Sequence, residues 1–256
     1  MLCPGMQRGV TGGMAASTSE SWFETPLARA TLACERLLAG RLTERLFGGR
    51  LLQLGHWSEM SALLEHCRVN RRLVVDAAAP ADIVADLAAL PVASGSIDVV
   101  VMPHTLEFAA NPHASLREAD RVLAHGGHIF MLGFSRYSLW GFRELLRRPP
   151  YGNGARLLAE HRIGDWMQLL GFELLAMERY FYRLPINQPW LIRRSRWLEQ
   201  WGRSRLPGPW PAAAWAAVFR KQPPGATPIS PHWYGRRPVI RPGTVPGGLS
   251  HNRKRS

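Results

Sequence analysis

Gly55 closes the short apolar stretch Arg50-Leu-Leu-Gln-Leu-Gly55 and is followed by His56, Trp57, Ser58 and Glu59. A glycine at a strand-to-helix turn lets a ligand approach the backbone, and the free N–H groups of the next helix favour an anion there. Asp76 ends the run Leu73-Val-Val-Asp76, 21 residues after Gly55. Nucleotide-binding α/β folds place a carboxylate at about that spacing, where two oxygens accept both ribose hydroxyl protons. Many strands also end in Asp simply to build a turn. His104, in Pro103-His-Thr-Leu-Glu107, follows another apolar run. Its ordinary pKa, near neutrality, suits a pocket wall or a proton acceptor, while a lone His after a strand is more often structural. Arg136, Tyr137 and Trp140 cluster after the next apolar run. They form a cationic and aromatic set suited to a planar or anionic group, or to packing a lid.

The elements that must position these residues are strands and helices in alternation. Ile97 to Met102 has the length of a buried strand. Asn111 and Pro112 read as N-cap and first helical residue, with Leu116, Ala119, Val122 and Leu123 at helical spacing and Gly126-Gly127 as the stop. His128 to Leu132 is the next buried strand, which completes a right-handed βαβ unit. Before it, an amphipathic helix spans Leu27 to Phe47 and stops at Gly48-Gly49, and strands cover 50–55, 73–76 and 82–86. A short helix is expected from Ser58 to His66, and others from Ser138 to Arg147 and Arg156 to Leu170. Phe172 to Tyr182 reads as a long strand. Trp190 to Arg205 reads as an Arg- and Trp-rich amphipathic helix, and Ala212 to Arg220 has the composition of a helix.

The stretch IDVVVMPHTLEF, followed by SLREADRVLAHGGHIFMLGF, resembles the second half of a class I S-adenosylmethionine-dependent methyltransferase domain of the type 11 group. Asp98, His104, Leu106, Glu107, Leu116, Arg117, Glu118, Arg121, Val122, Leu123, Gly126 and Gly127 stand on its motif positions. The resemblance extends more weakly from about Leu51 to about Arg220. It implies a Rossmann-like, seven-stranded, mostly parallel sheet with helices on both faces and an antiparallel last strand. That strand would be 212–220, against its composition, paired as a hairpin with the one before.

The resemblance also implies S-adenosylmethionine as cofactor, held by Gly55, Asp76, Asp86, Leu87 and His104. Asp86 would accept from the adenine amino group and the Leu87 N–H would meet a ring nitrogen. Arg136, Tyr137 and Trp140 would belong to the substrate wall. No residue takes a catalytic role. The chain departs from the family where His56 and Trp57 replace a small residue and a second glycine. It lacks the Asn/Asp-Pro-Pro-Tyr/Phe motif of enzymes that methylate exocyclic amino groups of bases. It also lacks the Gly-x-Gly-x-x-Gly of nicotinamide-dependent oxidoreductases.

Composition sets the remaining bounds. The net charge is +13, of which residues 220–256 carry eight basic and no acidic side chains. Residues 1–20 and this Pro- and Gly-rich tail, 222–256, read as disordered flanks of one domain at 21–221, and Met14 is an alternative start. Three widely spaced cysteines without CxxC suit a reducing cytoplasm and no metal site. No run of 18 apolar residues suggests a membrane span. The expected function is methyl transfer to a small molecule. RNA is the alternative partner through the basic tail, and the rival reading is an inactive scaffold of the same fold that binds RNA or a protein.

Overall fold

The computed structural model describes residues 23–44, 46–57, 68–145, 155–183, 185–194 and 212–223. The helix expected at 58–66, most of 190–205 and both flanks but for Gln222 and Pro223 lie outside them.

The chain runs through helix α1 (Pro26–Thr43), strands β1 (Phe47–Leu54), β2 (Arg68–Asp76), β3 (Ile83–Val84) and β4 (Ile97–Pro103), then helices α2 (Thr105–Phe108) and α3 (Pro112–Val122). Strand β5 (Leu123–Phe134), helices α4 (Leu139–Leu145) and α5 (Glu160–Leu169), strand β6 (Phe172–Tyr180), helix α6 (Pro189–Arg194) and strand β7 (Ala214–Lys221) complete it. The strands form one seven-stranded sheet in the order β3-β2-β1-β4-β5-β7-β6. All pairs up to β4–β5 are parallel, and β7 is antiparallel to both its neighbours. Apolar side chains on the two faces build two cores. One holds Leu51, Val99, Val101 and Phe130 with α1, and the other holds Leu52, Leu54, Val100 and Ile129 with α3. Alternate residues of the same strands thus serve opposite layers, as the pleat requires.

The last strand follows the family resemblance and overrides composition. Ala214 to Phe219 are all buried, and β7 lies between β5 and β6, so every position faces protein. Small alanines there suit close packing rather than helix.

Two glycine pairs do something other than expected. Helix α1 ends at Thr43, and Gly48-Gly49 lie inside β1. A Cβ on Gly48 would sit 2.4 Å from the Asp98 Cβ. The missing side chain admits the Asp98 carboxylate, which accepts from the backbone N–H of Gly49 at 2.7 Å and of Arg50 at 3.0 Å. Helix α3 ends at Val122, and Gly126-Gly127 belong to an irregularity of β5, where pairing jumps from Leu123 to His128. Gly126 has a φ of 78° there, in the left-handed region. β3 is shorter than expected and β2 longer, its added half rich in arginine and partly solvent-facing. The helix expected from Arg156 begins at Glu160, with Ala159 before it in extended backbone. Among the described residues no helix is long and apolar enough to cross a membrane.

Replacing Gly48 with Ala drives a methyl group into the Asp98 side chain. Overpacking of this kind costs about 1–3 kcal/mol, so urea denaturation of Gly48→Ala is expected to give a lower midpoint with an unchanged slope.

Candidate functional site

The C-terminal ends of the parallel strands share one edge of the sheet, where open α/β folds bind ligands. Gly55 follows β1, Asp76 ends β2, Asp86 follows β3, His104 follows β4 and Arg136 follows β5.

Gly55 has a φ of 87°, and a Cβ on it would lie 3.3 Å from Thr105 Oγ1. The Thr105 hydroxyl donates to the Leu54 carbonyl, which pins the turn after β1 to α2. Asp76 is buried, and its oxygens accept from the N–H of His56 and of Ala77, each at 2.6 Å. A carboxylate has about four acceptor sites, so Asp76 retains capacity for two hydroxyl donors. Asp86 is exposed, accepts from Ala88 N–H at 2.9 Å in a tight turn, and precedes the buried Leu87. That turn is held by α3. The Glu118 carboxylate accepts from Leu90 N–H, while Arg121 donates to the carbonyls of Leu90 and Val92. Arg121, through its direct hydrogen bonds, holds the Glu118 carboxyl below the usual range. Glu118 and Arg121 thus position the segment that carries Asp86 and Leu87.

His104 is fully buried with a φ of 53°. Its Nε2 meets Glu35 Oε1 at 3.1 Å and its Nδ1 faces Glu107 Oε1 at 3.5 Å, an ion-pair distance without hydrogen-bond alignment. Its ring lies between Trp57 and Phe134, with centroids 4.2 and 4.1 Å away. Tyr180 donates its hydroxyl proton to Glu35 Oε1 at 3.1 Å, and Trp57 donates Nε1–H to Glu35 Oε2 at 3.2 Å. Glu107 in turn accepts from the Phe134 N–H.

Burial alone would lower the His104 pKa, but the Glu107 and Glu35 carboxylates outweigh it and push it up to about 9. Burial, reinforced by Glu35, raises the Tyr180 phenol well above its usual value. His104 therefore keeps its proton at neutral pH. Its ring is fully buried between two aromatic side chains, with one nitrogen turned to each carboxylate.

Beyond β5, Arg136, Tyr137, Ser138, Phe142, Arg156 and Leu157 line a cleft of about 710 Å³. The Arg156 N–H donates to the Glu107 carbonyl at 2.7 Å, joining this cleft to the buried cluster. Trp140 is not on its wall. It is 1% exposed, donates Nε1–H to the Arg183 carbonyl at 3.1 Å and packs between Phe134 and Phe181.

Glu35, Tyr180 and Arg156 are functional neighbours that the reading of the sequence passed over. Glu35 left a signal, since it repeats the spacing of Leu27 and Thr31 on the apolar face of α1, all three buried. Tyr180 and Arg156 left none. Among the described residues no His, Cys, Asp and Glu cluster has a metal-holding arrangement.

Residues 37–131 match the family model described as methyltransferase domain. The uncharacterized protein YafS of Escherichia coli K12 is 36% identical over 176 residues, which span 66% of this chain and 71% of that one. Among solved structures, a chain of the Haloferax volcanii complex with the Trm112 methyltransferase activator superposes with a TM-score of 0.56 at 14% identity, covering 80% of this chain and 98% of its own. The [4+2]-cyclase SpnF gives a TM-score of 0.52 at 19% identity, covering 75% of this chain and 82% of its own. These two likenesses concern the fold.

The His104 cluster should make stability pH-dependent with a definite sign. The folded pKa lies above the unfolded value of 6.5. The contribution is therefore complete below pH 6.5 and lost as pH rises through about 9. A shift of that size corresponds to stability on the order of 3 kcal/mol. Urea midpoints of the wild type are expected to fall across this window, and those of His104→Gln to stay flatter. Glu35→Ala strands three buried donors and is expected to cost about 3 kcal/mol or more at pH 7, read from the same curves.

Proposed function

The chain belongs to the class I S-adenosylmethionine-dependent methyltransferases, its cofactor is S-adenosylmethionine, and we propose that it methylates a small molecule bound in the cleft beside Arg136 and Arg156. The observation that carries this reading is convergence: the residues expected to hold cofactor and the cleft all sit at one edge of the sheet.

The residues present fit the cofactor's nucleoside end. Asp76 has acceptor capacity left over from its two backbone partners, and it would take the ribose hydroxyls. Asp86 and the Leu87 N–H would take the adenine edge, on a turn that Glu118 and Arg121 hold in place. At the other end Gly55 keeps the left-handed turn, its N–H donating to the Val75 carbonyl and its carbonyl accepting from Gln53 Nε2, while Trp57 turns inward to cap Glu35. The substitution of glycine by Trp57 therefore serves the architecture around the site. Bound there, the cofactor supplies an electrophilic methyl group on a sulfonium.

What the chain contributes is placement. The cleft adjoins the ends of β4 and β5 through Arg156 and Glu107, so an acceptor seated in it lies next to the loop after β4. Bringing a nucleophile into line is the main demand of such a transfer. The protonated His104 does not serve as base, so an acceptor that needs deprotonation would draw on solvent or another group.

Calorimetric titration with S-adenosylmethionine tests the reading. The wild type is expected to bind in the micromolar range and Asp86→Ala about tenfold more weakly, the worth of one hydrogen bond. Absence of heat at millimolar cofactor would leave the scaffold reading in possession.

A further inference from the structure

We infer that the cleft beside β5 takes an oxyanion carried on a flat, largely apolar skeleton; as a statement about the methyl acceptor this rests on the function proposed above. Two guanidinium groups enter its wall from separate segments, Arg136 after β5 and Arg156 before α5. Among the described residues no acidic side chain lines it. Among the described residues, neither guanidinium has an ion-pair partner. Some exposed arginines of the domain do: Arg179 pairs with Glu160 at 2.8 Å, Arg220 with Glu173 at 2.7 Å and Arg41 with Glu178. Arg29, Arg71 and Arg117 are likewise exposed without an ion pair among the described residues, so what sets Arg136 and Arg156 apart is the concavity they share.

Both stand on fixed backbone. A Cβ on Gly141 would fall 2.0 Å from the Arg136 carbonyl oxygen, so α4 packs directly on that residue. Ser138 closes the same turn, donating to the Ser135 carbonyl at 2.7 Å and accepting from Gly141 N–H at 3.2 Å. Arg156 is tied through its own N–H to Glu107. A backbone anchored this way needs no rearrangement on meeting a ligand. A planar guanidinium matches a carboxylate or phosphate in a two-bond fork.

The apolar half of the site is equally plain. Tyr137 is 69% exposed and Phe142 59% exposed, and both line the cleft, while Trp140 between them faces the core. Exposed rings beside unpaired cations suit an aromatic or otherwise flat anion better than a free inorganic one. The volume, about 710 Å³, lies in the range of single small-molecule sites.

Fluorescence titration with anilinonaphthalene sulfonate, against its neutral counterpart phenylnaphthylamine, tests this on the full-length protein. The sulfonate is expected to bind the wild type more tightly than the neutral amine. The double variant Arg136→Ala/Arg156→Ala is expected to lower sulfonate affinity about tenfold or more and to leave the amine unaffected. Arg136→Lys/Arg156→Lys, which keeps the charge, should recover part of the loss. Displacement by benzoate or by phenyl phosphate supports the site and says which oxyanion it prefers.

Wild-type sulfonate affinity in the double alanine variant would overturn the inference, as would equal binding of the two dyes. Displacement by oligouridylate but by neither small anion would overturn it in favour of RNA. Cofactor calorimetry on the same samples separates the two readings. Arginine-dependent dye binding without cofactor binding sinks the methyltransferase proposal alone, and the reverse pattern sinks the anion site alone.

Discussion

One carboxylate holds the top of this domain together. Glu35 is completely buried and meets Tyr180, Trp57 and His104 with its two oxygens. Those partners come from β6, the turn after β1 and the loop after β4, so a single group of α1 ties three distant parts of the chain to one point. A charge so deeply buried is tolerable when it is paired and hydrogen-bonded, as the three partners of Glu35 provide. The other carboxylate, Glu107, meets the N–H at the end of β5 and, through its carbonyl, the segment that carries Arg156. The apolar layers fill the space between elements, but this polar cluster fixes which loop meets which helix.

That constraint recasts the apparent loss of the glycine-rich turn. Trp57 looks like decay when the sequence is set beside the family pattern. In the fold it is a buried ring that stacks on His104 and donates to Glu35. The same cluster explains why His104 accepts a left-handed backbone, a cost that a tightly held side chain can offset. On the function proposed above, the nucleoside would rest on Asp76, Asp86 and Leu87, while the turn after β1 is built around an ion cluster.

The parallel core was legible because β1, β4, β5 and α3 carry strong local signals: apolar runs, an N-cap Asn111 before Pro112, and the helical period of Leu116 to Val122. Boundaries failed where glycine served a contact rather than a stop, as Gly48 does for Asp98. Composition failed at β7, because alanine-rich sequence says helix until two neighbouring strands claim both its edges. The positions on the sheet edge could be read from spacing and resemblance, and Arg136 and Tyr137 do line the cleft. Trp140 could not be told from them, since exposure of an aromatic residue depends on a helix rotation that sequence does not print. Tyr180 and Arg156 were invisible for a different reason: each reaches its partner across a long stretch of chain.

The order of the sheet also has a consequence for how the chain comes off the ribosome. β7 is made last among the described strands, yet it lies between β5 and β6. Until residues 214–221 emerge, β5 presents a row of unpaired N–H and C=O groups along an apolar strand, and β6 has no place in the sheet. Such an open edge is a template for pairing with other chains. The nascent protein therefore passes most of its synthesis with its sheet unclosed, and its final strand works as a keystone whose late arrival sets the period of greatest exposure to misassembly.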